Sequence, residues 1–477
     1  LIGNYFHNIY FCLKRQGKTV DACYNTSAFF FPAISMNWTS LFSTLRIGSA
    51  AQPEPSVRSD FQRDSDRILF SAAFRRMQDK TQVFPLEKND YVRTRLTHSL
   101  EVSCVGRSLG SSAGTTLLMR YPELQQYITA ADVGDIVAAA CLAHDLGNPP
   151  FGHSGEQAMR DFFVSDNGRD MLQALRLSPA ECADLTHIEG NAQGFRICNR
   201  LESPDNHGGL RLTASTLAAA AKYPCTAFAV QDQAYYKKNG VYIDDVQDYA
   251  AVFAALHLPE IAPHVWQRHP LSYLMEAADD SCYLIADIED AYQIGQIPFS
   301  DAYDLLQRIA RPFVDDVRLQ KMQSKSDRLA YLRAKAIGCL VHETLEVFWQ
   351  SEQALLGGNF KGALLDHIRS STALQALRDY AVDHIYHCRS VLEMQIAGHR
   401  VLNGLIEIFC TAILHQHLKR AGKRDAMVIQ LLPNRYRRHH QNNYQSLLAV
   451  CDYITGMTDS YAVSLYKKLT GISLPAE

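Results

Sequence analysis

"AAACLAHDLGNPPFGHSGEQAM" is the sequence of residues 138–159, and it closes an apolar run that begins at Ile136. The run predicts a buried helix, and the Gly-Asn-Pro-Pro that follows it predicts a turn. His144 and Asp145 end the run with an imidazole nitrogen and a carboxylate oxygen, both of which suit a metal ion. For this dipeptide alone, a helix-end histidine beside a solvated aspartate is the commoner arrangement, so other parts of the chain must decide.

Hydrophobic residues recur with helical spacing over most of the chain. The pattern covers residues 124–145, 271–292, 302–320, 327–349, 391–418 and 444–469, whereas strand-like alternation is scarce outside residues 81–84 and 240–243. The 477 residues are 47% hydrophobic and 20% charged with a net charge of -3, a composition that argues against intrinsic disorder. The sequence therefore predicts a mainly α fold with little β structure.

Cysteine usage and hydropathy indicate the compartment. Twelve cysteines occur without a CxxC pair, and Cys104, Cys141, Cys282 and Cys410 lie in apolar, helix-like stretches. We expect reduced core thiols in a cytoplasmic protein rather than a disulfide framework. No apolar run approaches the ~20 residues of a membrane-spanning helix, so no membrane partner is expected. Because the first methionine is Met36, we also expect residues 1–35 to be a non-native or disordered extension.

Two further predicted helices carry polar groups on apolar faces. The periodicity of residues 98–109 turns His98 inward, and Asp279 is embedded in the apolar pattern of residues 271–292. Buried histidines and carboxylates are costly unless they are paired or hold a metal. Together His98, His144, Asp145 and Asp279 make a mixed nitrogen and oxygen donor set, which suits Mn, Mg, Fe or Zn in a catalytic site.

The helix of Asp279 has a second polar feature. Asp279, Tyr283 and Asp287 follow one another at intervals of four residues and so share a face about 80° wide. Such a face is suited to line a pocket for a ligand with a ring and hydroxyl groups. The alternative is that Tyr283 belongs to the hydrophobic core.

Acid-base and phosphate-binding groups follow the opening stretch. His153 and Glu156 are three residues apart, so the carboxylate can orient the imidazole; a surface pair after a turn is the alternative. The chain has no GxxxxGK[ST] loop, no Rossmann glycine fingerprint, no GxSxG and no HExxH, so phosphate chemistry here requires a metal. Side chains that suit a polyphosphate, although each alone is usually solvated, are Arg95, His187, Asn191, Lys222 and Tyr223.

Taken together, these residues resemble the H, HD, D pattern of the HD-domain phosphohydrolase superfamily. The chain resembles more closely the bacterial deoxyguanosine triphosphate triphosphohydrolases, over about residues 60–470. The segments that carry the resemblance are "MQDKTQVFPLEKNDYVRTRLTHSLEV" (77–102), "CLAHDLGNPPFGHSGE" (141–156), "HIEGNAQGFRI" (187–197), "YLMEAADDSCYLIADIEDA" (273–291) and "YITGMTDSYA" (453–462). It implies an HD-domain catalytic core at residues 36–300 and an additional helical C-terminal region at 301–477, which packs on the core and contributes to the nucleotide pocket or the oligomer.

The resemblance also implies roles for individual residues. His98, His144, Asp145 and Asp279 would hold a divalent metal, Mn or Mg with Fe or Zn as alternatives, and His153 would be the catalytic histidine with Glu156 as its partner. Arg95, His187, Asn191, Lys222, Tyr223 and Lys238 would surround the triphosphate, and Gln82, Tyr283 and Asp287 would surround the deoxyribose. Asn148 stands where many HD enzymes have a further histidine, which argues against a two-metal site.

The implied reaction is hydrolysis of dGTP, with other deoxynucleoside triphosphates as alternatives. Water would attack the α-phosphorus, and the 5′-oxygen would leave with a proton from His153. The products would be a deoxynucleoside and inorganic tripolyphosphate. The family also implies a homo-oligomer, commonly a hexamer.

Two other functions remain open at this stage. Another HD phosphohydrolase, a nucleotide monophosphatase or a phosphodiesterase, would use the same metal ligands but would leave Lys222 and Tyr283 unexplained. A nucleic-acid-binding helical protein with a vestigial site would follow single-stranded phosphates, although a solvated helix end or an oligomer contact also explains the basic cluster. That cluster comprises Lys419, Arg420, Lys423, Arg424, Arg435, Arg437, Arg438, His439 and His440.

Overall fold

Helices make up most of the computed structural model, which describes residues 36–49, 57–84, 89–230, 236–437 and 442–472. These residues all belong to one unit, Ser35–Glu477. The proposed extension at residues 1–35 lies outside the described residues, as do Arg438, His439 and His440 of the basic cluster. The mainly α prediction is confirmed. The division into regions at residue 300 stays a prediction.

The described residues contain 22 α-helices, named here in chain order. They are α1 Asp60–Leu69, α2 Ala72–Arg76, α3 Arg95–Arg120, α4 Ala130–Ala143, α5 Gly152–Val164, α6 Asp166–Ala174, α7 Pro179–Thr186, α8 Gly190–Arg196, α9 Ala214–Ala220, α10 Ala227–Val230, α11 Val246–Ala255, α12 Pro270–Gln293, α13 Phe299–Ala310, α14 Asp316–Lys321, α15 Lys325–Gln350, α16 Glu352–Leu356, α17 Ser371–Ala381, α18 Arg389–His417, α19 Lys423–Leu431, α20 Asn434–Arg437, α21 Asn443–Thr455 and α22 Asp459–Leu469. A two-stranded antiparallel hairpin joins β1 Glu260–Ala262 to β2 Val265–Trp266.

Several predicted segments differ from the observed elements. The helix expected at 302–320 breaks at the 3-10 turn Arg311–Phe313, because Pro312 lacks the backbone N–H that would continue it. The helix expected at 444–469 is two helices that meet at Gly456. The strands expected at 81–84 and 240–243 are single bridges, from Thr81 to Thr94 and from Val241 to Thr226. The hairpin of β1 and β2 was not predicted.

Helices α3 and α4 pack closely enough to bring their backbones together. A Cβ on Gly110 of α3 would lie 2.7 Å from the carbonyl oxygen of Val133, and one on Gly106 would lie 2.4 Å from Cys141 Sγ. Residues 133–143 of α4 are all buried, as expected for a helix that is apolar all round. Helix α12 packs against both α3 and α4. These three helices carry His98, His144 at the C-cap of α4, and Asp279.

Two hydrophobic clusters form the core. The first includes residues of α3, α4, α12 and α15, and the second includes residues of α5, α6, α18 and α21. The predicted metal ligands lie on helices of the first cluster or directly after α4, whereas His153 and Glu156 lie on α5, in the second. The turn at residues 147–150 therefore connects two separate cores.

Helix α18 supports the second cluster. Its Gly398 faces the ring of Phe151, where a Cβ would lie 2.5 Å from the ring, and its Leu402 and Leu405 are buried. Among the described helices, α18 passes a length and composition test for a membrane span, with 56% of the tested window buried in the fold. A core helix passes the same test, so this is weak evidence for a span.

The ten cysteines of the described residues are all free thiols. Cys141, Cys282 and Cys410 are buried as expected. Cys104 is exposed, so the prediction of a core thiol was wrong there, because it lies on the side of α3 that faces away from α4.

Candidate active site and metal centre

Three helices bring His98, His144 and Asp279 together. One potential ligand atom from each lies within 4.8 Å of the other two. His98 Nε2 is 3.1 Å from Asp279 Oδ1, and His144 Nε2 is 3.4 Å from the same oxygen. Two imidazole nitrogens and one carboxylate oxygen form a donor set that suits a transition metal or Mg²⁺.

The ring of His144 is oriented by the helix that it ends. Its Nδ1 lies 2.6 Å from the carbonyl oxygen of Cys141, and since a carbonyl only accepts, Nδ1 carries a proton and Nε2 is the nitrogen that faces Asp145 and Asp279. Nε2 is buried and makes no well-formed hydrogen bond within the described residues. Burial would lower the pKa of His144, but the charges of Asp145 and Asp279 raise it to about 9. A buried ring nitrogen that faces two carboxylates suits a ligand of a divalent cation.

Asp145 lies at the edge of this group. Its Oδ1 is 3.5 Å from His144 Nε2, and its Oδ2 accepts a hydrogen bond of 2.7 Å from Arg95. Asn148 donates its side-chain amide to Oδ1 of the same carboxylate. Burial would raise the pKa of Asp145, but Arg95, His144 and His98 lower it to about 2. Asp145 is thus charged and adjacent to the three-residue group, and its role as a fourth ligand stays a prediction.

The turn after Asp145 places α5 by an unusual backbone. Phe151 has φ 60°, in the left-handed region, and is followed by Gly152 with φ 55°. A side chain at position 152 would be strained and would place its Cβ 2.6 Å from Arg95 Nη2. The glycine lets Arg95 pass over the start of α5, and the chain then presents His153.

His153 and Glu156 form the pair that their spacing indicates. His153 Nδ1 lies 3.0 Å from Glu156 Oε2, and the backbone N–H of Gly190 donates to Glu156 Oε1 at 2.7 Å. Burial would raise the pKa of Glu156, but His153, Lys238 and Arg160 keep it below its ordinary value. A charged, buried carboxylate therefore holds an imidazole whose side chain is 80% exposed.

A cavity of about 590 Å³ connects these groups. Most of the predicted site residues line it: Gln82, Arg95, His144, Asp145, His153, Asn191, Lys222, Tyr223, Lys238, Asp279, Tyr283 and Asp287. His98 and Glu156 lie one layer behind, in contact with Asp279 and His153.

His187 does not line the cavity. It lies at the C-cap of α7, where its Nδ1 is 3.0 Å from the carbonyl oxygen of Ala183. His187 and Asn191 are four residues apart but do not share a helix, because Glu189 is extended, with φ -142°, and separates α7 from α8. The predicted role of His187 beside the phosphates stays a prediction.

Two lysines on the cavity wall are held by carboxylates. Lys222 Nζ lies 3.1 Å from Glu276 Oε1, and Arg268 Nη1 donates to Glu276 Oε2 at 2.7 Å. Lys238 Nζ donates to Glu189 Oε1 at 2.9 Å. Each carboxylate is at least 88% buried at its side chain, and both lysines line the cavity, so the two ammonium groups are held at one space.

Glu189 was missed by the sequence analysis. Besides Lys238, it accepts from Arg160 at 2.8 Å and from the amide of Asn191 at 2.9 Å. Arg160 also lies 3.5 Å from Glu156, so one guanidinium connects the two carboxylates. The sequence signal for Glu189 was that it is the single acidic residue between His187 and Asn191, in the segment HIEGN (187–191).

The carboxylate and aromatic face of α12 lines the far wall. Tyr283 and Asp287 both reach the cavity, and Tyr386 Oη donates to Asp287 Oδ2 at 2.6 Å. Burial raises the pKa of Asp287 to about 7 despite that bond. The sequence analysis missed Tyr386 because it belongs to a π turn, Val382–Tyr386, with no periodic signal. It also missed Asp280, which lines the same wall and whose pKa burial raises to about 7.

The tyrosine beside the basic cluster is not available for stacking on a nucleic-acid base. The ring of Tyr436 is buried, 5% exposed, with the guanidinium of Arg435 over it at 4.7 Å. A buried ring does not serve as a stacking platform for a base.

Known proteins share two domains with this chain and match it over most of its length. The HD domain matches residues 95–194, and a Phosphohydrolase-associated domain matches residues 368–468. A deoxyguanosinetriphosphate triphosphohydrolase-like protein of Synechocystis sp. is 43% identical, over 92% of this chain and 100% of its own length. The chain belongs to the deoxyguanosinetriphosphate triphosphohydrolase family. A triphosphohydrolase-like protein of Pseudomonas aeruginosa is 39% identical over the same shares, and a deoxyguanosinetriphosphate triphosphohydrolase of Yersinia pseudotuberculosis is 32% identical over 88% of this chain and 96% of its own.

Membership of the deoxyguanosinetriphosphate triphosphohydrolase family makes this chain an HD-domain phosphohydrolase. The matched HD domain contains His98, His144 and the whole of α5. Asp279 lies beyond it in sequence, and the Phosphohydrolase-associated domain contributes Tyr386 to the cavity wall.

Proposed function

We propose that this chain is a metal-dependent enzyme that hydrolyses dGTP to deoxyguanosine and inorganic tripolyphosphate. The observation that carries the proposal is that one cavity of about 590 Å³ brings these groups together. Of the donor group, His144 and Asp279 line this cavity and His98 lies behind them. His153, Lys222 and Lys238 line the same cavity. The carboxylate and aromatic face of α12 continues from Asp279. A deoxynucleoside triphosphate needs these three kinds of group in one cavity: cations for the phosphates, a metal site and acid for the α-phosphorus, and a polar and aromatic wall for the sugar.

The metal is proposed to be Mn²⁺ or Mg²⁺, with Fe or Zn as alternatives. His98, His144 and Asp279 would hold it together with Asp145, and their nitrogen and oxygen donors fit such a cation. When bound, the cation would supply Lewis acidity and lower the pKa of a water molecule. Arg95, paired to Asp145 at 2.7 Å, keeps that carboxylate charged and oriented.

His153 is proposed to protonate the leaving 5′-oxygen of the nucleoside. Its Nδ1 is engaged by Glu156, so Nε2 is the ring nitrogen left to donate toward the substrate. The buried carboxylate of Glu156 fixes the direction of the ring, as a general acid requires. Water attack at the α-phosphorus then releases deoxyguanosine and leaves the three phosphates joined.

The triphosphate is proposed to bind Arg95, Asn191, Lys222, Tyr223 and Lys238. Lys222 and Lys238 each already lie beside a carboxylate, which supports a fixed direction for both cations. Charge-assisted bonds from such groups offset the charge of the tripolyphosphate in the transition state. Gln82, Tyr283 and Asp287 are proposed to surround the deoxyribose, with the Tyr283 ring excluding a 2′-hydroxyl.

Product analysis with each of the four deoxynucleoside triphosphates and Mn²⁺ tests this function. We expect deoxyguanosine and tripolyphosphate from dGTP, with lower rates for the other three. Pyrophosphate with a nucleoside monophosphate would overturn the proposal. Equal rates for all four substrates would show that the enzyme hydrolyses deoxynucleoside triphosphates in general and is not specific for dGTP.

We also propose that the enzyme works in the cytoplasm as a homo-oligomer, a hexamer. Family resemblance supports the oligomer, and the free thiols of the described residues support a reducing compartment. Light scattering after size-exclusion chromatography measures the oligomer. Salt-dependent retention on single-stranded DNA tests whether the basic segment binds nucleic acid.

A further inference from the structure

The segment "YITGMTDSYA" at residues 453–462 has no role in the function proposed above. It forms the end of α21, the start of α22 and the turn between them, which we call the 455–459 turn. Asp459 is the first residue of α22 and is only 1% exposed. Its Oδ1 accepts a hydrogen bond of 3.0 Å from the backbone N–H of Phe151. Its Oδ2 accepts from the backbone N–H of Thr81 at 3.0 Å and from the Thr81 hydroxyl.

A buried lysine joins the same parts of the chain, as a donor of hydrogen bonds and not as an acceptor. Lys80 is 3% exposed, and its Nζ donates to the carbonyl oxygens of Asn148, at 2.6 Å, and Thr455, at 2.8 Å. Two segments of the cavity wall, residues 80–82 and residues 148–153, are therefore both bonded to the 455–459 turn. The sequence separations exceed 300 residues, so only the folded C-terminal region makes these bonds.

The two segments lead directly to site residues. Thr81 precedes Gln82, and Phe151 lies two residues before His153. Phe151 is held in the left-handed region, which is unfavourable for a residue other than glycine. Such a conformation persists only where its surroundings fix it, and the bond from the Phe151 N–H to Asp459 is one of the contacts that do so.

We propose that Asp459, assisted by Lys80, is a positioning residue that fixes His153 and Gln82 at the cavity. It acts through the backbone of Phe151 and Thr81 and does not line the cavity itself. The C-terminal region would thus set the direction of the proton donor in addition to completing the cavity wall. This inference rests on the function proposed for His153.

The test compares Asp459→Ala and Asp459→Asn with a matched control, Thr458→Ala. Thr458 caps the same helix through the N–H of Tyr461, so Thr458→Ala weakens the start of α22 without removing the carboxylate. Asparagine has nearly the same volume as aspartate and keeps one acceptor oxygen, but its NH₂ group faces an N–H donor and cannot accept from it. Asp459→Asn therefore tests the contacts if Asp459→Ala folds poorly.

The first measurement is amide hydrogen exchange in peptides that cover residues 150–155. We expect faster exchange at Phe151 in Asp459→Ala, faster exchange at Phe151 or at Thr81 in Asp459→Asn, read from a further peptide that covers Thr81, and wild-type exchange in Thr458→Ala. This result does not depend on any enzymatic activity. Unchanged exchange in the Asp459 variants would overturn the proposal.

The second measurement compares kcat for dGTP with kcat for its analogue that has sulfur in place of the 5′-oxygen. Water attack on the analogue breaks the phosphorus–sulfur bond, and the thiolate leaves without needing a proton. A misdirected His153 should lower kcat for dGTP on the order of tenfold to a hundredfold, with a much smaller loss for the analogue. Equal losses on both substrates, or the same losses in Thr458→Ala, would contradict positioning of the acid. If the wild type releases no tripolyphosphate, the proposed function fails, and the exchange result still decides whether Asp459 fixes the segment.

Discussion

His153 Nδ1 lies 3.0 Å from Glu156 Oε2, although the side chain of His153 is 80% exposed and that of Glu156 is 2% exposed. The carboxylate is held from behind by the N–H of Gly190 and by Arg160. A fixed anion thus orients a ring that remains open to a ligand. This is the arrangement that a proton donor in a nucleotide cavity requires.

Replacing the imidazole should separate catalysis from metal binding. His153→Ala is expected to lower kcat by about a hundredfold or more because the leaving 5′-oxygen loses its acid, while the Mn²⁺ content stays that of the wild type. His207→Ala is the control, since His207 is also exposed and paired with a carboxylate, at 3.1 Å from Asp248, but does not line the cavity. Wild-type turnover by His153→Ala would refute the role of the imidazole.

Neighbouring carboxylates on α12 should differ in metal binding. Asp279 belongs to the three-residue donor group, whereas Asp280 does not. Asp279→Asn should lose bound Mn²⁺, measured by elemental analysis, and should lose the rise in melting temperature that Mn²⁺ gives the wild type. Asp280→Asn should keep both. Asp145→Ala is also expected to lose the metal, and metal retention by Asp279→Asn would contradict the proposed site.

Lys222 should contribute to triphosphate binding. Its ammonium lies 3.1 Å from Glu276, and a charge-assisted bond is worth about 1.5–3 kcal/mol. Lys222→Met is therefore expected to lower kcat/KM for dGTP by about tenfold to a hundredfold and to weaken inhibition by free tripolyphosphate. Lys467→Met, on the exposed end of α22, should change neither quantity. Unchanged inhibition in the Lys222 variant would remove it from the phosphate site.

Tyr283 should determine the choice of sugar. If its ring fills the space beside carbon 2′, Tyr283→Ala will increase the ratio of kcat/KM for GTP to that for dGTP. Tyr303→Ala is the control because that ring packs against Phe299, away from the cavity lining. An unchanged ratio in Tyr283→Ala would show that another group excludes the ribose.

The free energy of unfolding should depend on pH through Asp184, a buried carboxyl group that does not line the cavity. Burial raises its pKa from 3.8 to about 7, although Tyr444 and the N–H of Ile243 donate hydrogen bonds to it. Because the folded state then binds this proton more tightly than the unfolded chain, the free energy of unfolding falls as pH rises from about 4 to about 7 and levels off above. Between pH 4 and pH 7 this carboxyl lowers the free energy of unfolding by an amount on the order of 4 kcal/mol, and Asp184→Asn should remove that fall.

Urea unfolding of the wild type and Asp184→Asn between pH 4.5 and 8 measures the difference. Asp166→Asn provides the control, since that carboxylate is fully exposed. Parallel pH profiles for the wild type and the Asp184 variant would contradict the shifted pKa.

Periodicity was sufficient for the parts of this molecule that depend on local sequence. The inward direction of His98, the buried helix before His144 and the common face of Asp279, Tyr283 and Asp287 follow from helical spacing. Spacing failed where a single residue ends a helix, as at Pro312.

Long-range packing determined what the sequence could not show. Glu189, Tyr386 and Asp459 bond to Arg160, Asp287 and Phe151, which are 29, 99 and 308 residues away. Nothing in the local pattern around them indicates which buried groups they meet. His187 illustrates the reverse, because its spacing from Asn191 looks helical but the extended Glu189 lies between them.

The position of water attack tests the central claim most directly. Hydrolysis of dGTP in water enriched in oxygen-18, followed by mass spectrometry of both products, identifies the phosphorus that receives the new oxygen. Attack at the α-phosphorus predicts unlabelled deoxyguanosine and tripolyphosphate that carries one oxygen-18. Label in the nucleoside, or the appearance of labelled pyrophosphate or monophosphate, would contradict it.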